Sequence, residues 1–196
     1  MHGLINRSIQ CFVRDTYGQE AWVQIALDAR IGHENFEAML VYDDDQTFAV
    51  LEAACHVLDK PAETLLEDVG TYLVSHPSFS ALRRLLRFGG ESFVDFLYSL
   101  DDLRDRARLA VPDIDLPLIE LHEVTSASFT VSCGQEIQGF SYVIMGILRA
   151  MADDYGALVF LEHLGSREAA DHLGVSLLEA AFAQGRSFDL AGEVSL

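Results

Sequence analysis

The chain of 196 residues sets 31 acidic side chains against 13 basic ones, a formal net charge of −18, with half of its residues hydrophobic. That is enough apolar material for one ordered core or a core shared by two lobes. So acidic a surface repels nucleic acid and anionic lipid, and no run approaches the ~20 apolar residues a bilayer requires. Residues 1–7 lack a basic start followed by an apolar run, so no signal peptide is expected. Cys11, Cys55 and Cys133 are far apart, without a C-x-x-C pair or zinc spacing, and read as reduced thiols of a cytoplasmic protein.

Residues 4–17 put Ile5, Ile9, Phe12 and Val13 on one helical face, with Gly18 placed to end the helix. A second helix is expected from Gln19 to Ala29 through Trp22, Val23, Ile25 and Ala26. Asp43-Asp44-Asp45 reads as the anionic start of a helix over 46–58 that buries Phe48, Leu51, Ala54, Cys55 and Val57. Pro61 opens a fourth helix through Leu65, Leu66, Val69 and Leu73, and Pro77 separates it from a short helix over Phe79 to Phe88. Gly89-Gly90 stop that helix, and Ser92 or Glu91 can open the next. Phe93, Phe96, Leu97, Leu100 and Leu103 then recur as one stripe leading to Arg104.

The pattern changes after Arg108. Pro112 and Pro117 mark a connection, and Leu118 to Val124 and Ala127 to Cys133 alternate as two strands joined at Thr125-Ser126. Gly139 to Asp154 returns to helix, with Val143, Ile144, Ile147, Leu148 and Met151 turned inward, and Ala157 to His163 reads as a strand. Residues 167–185 fit a helix by composition, or a strand over His172 to Glu179 paired with 157–163; pattern alone does not choose. The tail 186–196 reads as peripheral.

The run Gly90-x-Ser92-Phe93-x-x-Phe96-Leu97-x-x-Leu100-Asp101-x-Leu103-Arg104 resembles the signal helix of heme nitric oxide/oxygen-binding (H-NOX) domains. Gly3-x-Ile5, Tyr17-Gly18, Glu67-Asp68-Val69-Gly70, Pro117 and Gly146 fall in that family's order, so the resemblance covers most of the chain. It implies one α+β domain over 1–196, with a helical lobe at about 1–110 and a mixed lobe of antiparallel strands and a long helix at about 111–185. It also favours the hairpin over the helix at 167–185. It further implies a heme pocket between the lobes lined by Ile5, Ile9, Leu73, Val74, Leu100, Leu103, Arg104, Pro117 and Ile147. Nitric oxide would be its gas ligand. A separate partner of the bacterial signalling type, a histidine kinase or a cyclic-di-nucleotide enzyme, would read its state.

The departures fall on the functional positions. Arg104 stands where the family has the proximal histidine, and a guanidinium has no lone pair for iron. The family's Tyr-x-Ser-x-Arg propionate clamp meets Thr130-x-Ser132-x-Gly134 in one register and Gly134, Glu136 and Gln138 in the other. His76 is the candidate substitute axial ligand, against its plainer role as a helix-end histidine; Tyr98 is a weaker one, and Met145 and Met151 read as core. His122, His163 and His172 lie near the expected sheet. The cluster Arg104-Asp105-Arg106-Ala107-Arg108 reads either as an anion site or as paired with Asp101, Asp102 and Asp105. Hydrolase elbows, phosphate loops, dinucleotide-binding glycines and HExxH are absent. Two functions follow: a non-enzymatic sensor of the H-NOX kind, with or without heme, or a protein–protein scaffold whose pocket is filled by side chains.

Overall fold

A computed structural model describes residues 1–188; residues 189–196, which hold most of the expected tail, lie outside the described residues. The first half is helical: α1 (Gly3–Tyr17), α2 (Gln19–Asp28), α3 (Asp44–Leu58) and α4 (Ala62–Ser75). Gly18 joins α1 to α2 at φ 95°, a left-handed conformation that a glycine adopts without cost, and its N–H donates to the Arg14 carbonyl. These four helices close on Phe12, Val13, Trp22, Ile25, Phe36 and Leu65. Trp22 is fully buried, with its indole N–H satisfied by the Glu34 carbonyl at 2.7 Å.

One expected face is corrected. In α3, Ala54 is buried and Leu51, Cys55 and Val57 pack against the core as expected, but Thr47, Val50 and Ala53 are the other buried residues and Phe48 is exposed. Apolar residues occur on more than one side of α3. Its rotation is set by a polar pair: the Thr47 hydroxyl donates to the buried Asn6 side-chain oxygen of α1 at 2.7 Å.

Beyond a 3-10 turn (Pro77–Phe79) come α5 (Ser80–Arg87), α6 (Phe93–Tyr98) and α7 (Leu103–Ala110). The apolar stripe is therefore not one helix. Ser92 and Asp95 form a reciprocal capping box that starts α6. Ser99 ends it, turning its hydroxyl onto the Phe96 carbonyl at 2.7 Å and giving its own carbonyl to Arg106. The Asp101 carboxylate accepts the Leu121 N–H at 2.6 Å and pins the break to the sheet.

The sheet has strands β1 (Ile119–Thr125), β2 (Ser128–Gly134), β3 (Leu158–Arg167) and β4 (Ala170–Glu179), in the order β1-β2-β4-β3 with every neighbour antiparallel. Residues 167–185 thus supply a hairpin strand. Its tip uses Glu168 and Ala169 at φ 52° and 62°, the geometry of a tight hairpin turn without its usual Asn or Gly. Helix α8 (Phe140–Tyr155) covers one face, packing Ile144, Leu148 and Met151 onto Phe129, Val131 and Leu173.

The helical part meets this second core where α4 crosses α8. A side chain on Gly70 would lie 2.1 Å from the Val143 carbonyl oxygen, and one on Gly146 only 2.0 Å from the Glu67 carbonyl oxygen. The two backbones touch, and only glycine allows it. Among the described residues no helix is long and apolar enough to cross a membrane.

Candidate functional site

The residues expected around a shared pocket fall into two groups. Val74, Leu100, Leu103 and Ile147 belong to the core under the sheet, each no more than 7% exposed. Ile9 and Leu73 belong to the α1–α4 core. Pro117 is buried, and Ile5 is half-buried. A wide void between the lobes would leave its lining accessible to water. Val74, Leu100, Leu103 and Ile147 instead pack within one core cluster and Ile9 within the other, while Ile5 and Leu73 keep part of their surface exposed.

Arg104 opens the first turn of α7. Its guanidinium donates to Asp115 at 2.7 Å, and Arg108, one turn on, reaches the same oxygen at 2.6 Å. Hydrogen bonds from both arginines hold the Asp115 carboxyl below the usual aspartate range. The Arg104 Nε is turned inward without a partner among the described residues. Charge from Glu136 adds to that of Asp115 in favouring the Arg104 cation. Sequence considered Asp101, Asp102 and Asp105 as partners; the acceptor is Asp115, across a proline-bearing connection.

The segment aligned with the propionate clamp is bonded within the protein. The Ser132 hydroxyl lies 2.9 Å from Nδ1 of His172. Gln135 donates to Asp171 at 2.8 Å, and Asp171 also accepts from Ser141 at 2.7 Å and Ser166 at 2.6 Å. Burial alone would raise the Asp171 carboxyl. The three hydrogen bonds and the nearby His163 outweigh it, and its pKa lies below the ordinary value. Nothing in the sequence singled out Asp171; its partners come from three separate elements.

The other candidates are placed as follows. His76 caps the end of α4, with Nδ1 accepting from Ser78 N–H at 3.4 Å, Nε2 3.7 Å from Asp15, and its ring stacked on Tyr72. Nδ1 and one ring face are thus occupied, and Nε2 faces Asp15, all within the helical lobe. Tyr98 is half-exposed and donates to Glu123 of β1. Met145 and Met151 are core residues. His163 stacks on Tyr142 beneath the sheet, whereas His122 and His172 stand opposite Thr130 and Ser132 in the strand register. Among the described residues, no three His, Cys, Asp or Glu side chains come together to hold a metal ion. Burial pushes the Cys133 thiol up to about 12, a packing residue with no nucleophilic character.

The Haem-NO-binding family profile matches residues 2–163. The chain belongs to this family. Soluble guanylate cyclase gcy-31 of Caenorhabditis elegans is 21% identical over 154 residues, which are 79% of this chain and 22% of that protein. Soluble guanylate cyclase gcy-35 of the same organism is 30% identical over 105 residues, 53% of this chain and 15% of that protein. The chain thus spans less than a quarter of these relatives, and their cyclase activity is a property of those whole proteins. The Fe(II) unliganded H-NOX protein from K. algicida superposes with a TM-score of 0.76 at 17% identity, covering 94% of this chain and all of that one. An H-NOX protein from S. oneidensis gives 0.75 at 15% identity, over 92% and 97% of the two chains. Haem-NO-binding architecture is therefore present from α1 through β4, a two-lobed α+β fold.

Proposed function

We propose that this chain is a heme-free member of the Haem-NO-binding family, a regulatory module that acts by contact with a separate signalling protein. A histidine kinase or a cyclic-di-nucleotide enzyme is the partner type that the family resemblance implies. The observation that carries this reading is the division of the pocket positions into two packed groups, with Arg104 at the iron-ligand position engaged by Asp115. An axial ligand needs a free lone pair, which Arg104 lacks and which His76 directs elsewhere. A heme carboxylate entering beside Gln135 would meet Asp171 and Glu136 without the clamp's arginine, and like charges repel. The residues present do not fit a heme held in the family's manner.

The test is spectroscopic. Protein from heme-supplemented cells is purified, reduced, and its absorption recorded before and after nitric oxide, with a parallel hemin titration. A colourless protein that shows no saturable Soret band on titration is expected. A stoichiometric Soret band that shifts with the gas would refute the heme-free reading.

A further inference from the structure

Only one face of the four-stranded sheet is covered by α8. On the other, the central strands present mostly small side chains, Ser128, Thr130 and Ser132 from β2 and Gly174 and Ser176 from β4, with His172, bonded to Ser132, and Leu178 as the larger ones. The edge strands present larger ones: Glu120 and His122 on β1, Phe160, Glu162 and Leu164 on β3. The outward direction of β3 is fixed by Leu164, whose side chain lies over Gly174, and by Val159 and Leu161, which pack into the core on the opposite side. The result is a trough with a floor of mostly small residues between walls of large ones.

Four strands at ~4.8 Å spacing set the backbones of its edge strands about 14 Å apart, and a helix with its side chains, roughly 10–12 Å across, can lie along the face between them. Toward the hairpin tip the trough deepens into a concavity of about 540 Å³ bounded by Leu118, Glu120, Gly134, Glu136 and Glu168.

The face is mixed, but it leaves large apolar side chains in water where a solvated sheet ordinarily carries polar ones. Phe160 is 57% exposed and Leu178 is 64% exposed, and neither joins a core cluster. Among the described residues, none after β4 returns to it. After β4 the backbone turns back to α8, where Ala183 donates to the Gly156 carbonyl and Arg186 to the Asp154 carbonyl.

The rim is anionic. Glu120, Glu136, Glu162 and Glu168 surround the trough and outnumber the basic residue on the outward strand positions, Arg167, which stands opposite Ala170. Arg167 stands at the hairpin tip, and Arg104, near Glu136, is engaged by Asp115. A second copy of so acidic a chain is repelled from such a surface.

We infer that this trough is a docking site for a basic amphipathic helix of a partner protein, its apolar stripe on the small-residue floor and its cations against the glutamate walls. The inference rests on the reading of the chain as a module that works through a separate partner, and it is independent of the heme measurement.

The probe is a fluorescein-labelled helical peptide of leucine and lysine, titrated by anisotropy at ~0.15 M salt. Ser176→Arg combined with Glu162→Lys narrows the trough and reverses its wall. Glu20→Lys combined with Gln24→Arg makes the same change in net charge on the exposed side of α2. Binding is expected to weaken about tenfold or more in the trough variant and to change less than about threefold in the control. Amide shifts in the labelled wild-type protein should concentrate in β2 and β4. Equal weakening in both variants, or shifts centred on the helical lobe, would reduce the binding to general charge attraction and overturn the proposal. Thr130→Arg, on a different strand of the floor, repeats the test should the first variant unfold.

Discussion

Gly146→Ala tests the contact that joins the two halves of this protein. The added methyl would sit 2.0 Å from the Glu67 carbonyl oxygen and 2.8 Å from the Thr71 N–H nitrogen, both backbone atoms that cannot rotate aside. A carbon rests at about 3.3–3.6 Å from an oxygen, so α4 and α8 must part by more than ~1 Å. A gap of 0.5–1 Å forfeits roughly a quarter to a half of each dispersion well along the crossing, and overpacking of cores costs about 1–3 kcal/mol. Alanine's better helix propensity returns at most about 1 kcal/mol. A net loss of about 2 kcal/mol is expected, read from the urea midpoint by circular dichroism. Gly70→Ala should behave alike, because its methyl would lie 2.1 Å from the Val143 carbonyl oxygen and 3.1 Å from Gly146 itself. Once one methyl has parted the helices the second finds room, so the double variant should fall short of the sum by about 1 kcal/mol or more. Unchanged or increased stability in Gly146→Ala, or strict additivity, would refute the backbone-contact argument.

Two further outcomes follow from buried and hydrogen-bonded carboxylates. Asp154 is 1% exposed, takes a hydrogen bond from Arg83 at 2.8 Å and lies 3.5 Å from Arg87, so Asp154→Ala removes the carboxylate that both guanidinium groups face. A loss of about 3–5 kcal/mol in urea unfolding is expected, and a change under about 1 kcal/mol would show that both arginines find other acceptors. Asp171 titrates below its ordinary value in the folded state, so its stabilisation is complete above the unfolded aspartate pKa of about 3.9 and fades as pH falls through the folded one. The difference in melting temperature between wild type and Asp171→Asn should therefore be largest at neutral pH and shrink toward pH ~3, and a difference that grows in acid would contradict the assignment.

Much of the fold was legible because its elements announce themselves locally. Gly18 and Pro77 punctuate the helices, Ser92 begins α6 with a capping box, and the inward stripe of α8 has helical period. Gly70 and Gly146 were visible as landmarks but not as partners, since nothing in a sequence shows that two glycines lie across one crossing. The features that escaped depend on distant pairing. The rotation of α3 is chosen by Asn6, the break after Tyr98 by Arg106 and Leu121, and the β3–β4 turn uses Glu168 and Ala169 without the residues that signal such turns. The same holds for the site. Arg104 stood out as the wrong donor for iron, but its acceptor Asp115 and the hub at Asp171 are products of the folded chain.

A heme would bring three things to this architecture: apolar bulk between the lobes, a cationic centre tied to the signal helix, and anions tied to the mixed lobe. In the heme-free reading the chain supplies each from its own side chains. Val74, Leu100, Leu103 and Ile147 provide the bulk, Arg104 the cation, and Glu136 and Asp171 the anions. The terms are unequal in strength. The Asp115 side chain is 72% exposed, and an ion pair so open to solvent is too weak to hold α7 in place. Leu100 and Leu103, at 1% and 4% exposure, are each worth about 1.5–3 kcal/mol by burial and set where the helix sits. Displacing the signal helix therefore means moving leucines out of a packed core rather than breaking a bond to a metal. On that reading such a displacement needs a ligand with a strong preference for one arrangement, the part proposed for a helix seated across the sheet.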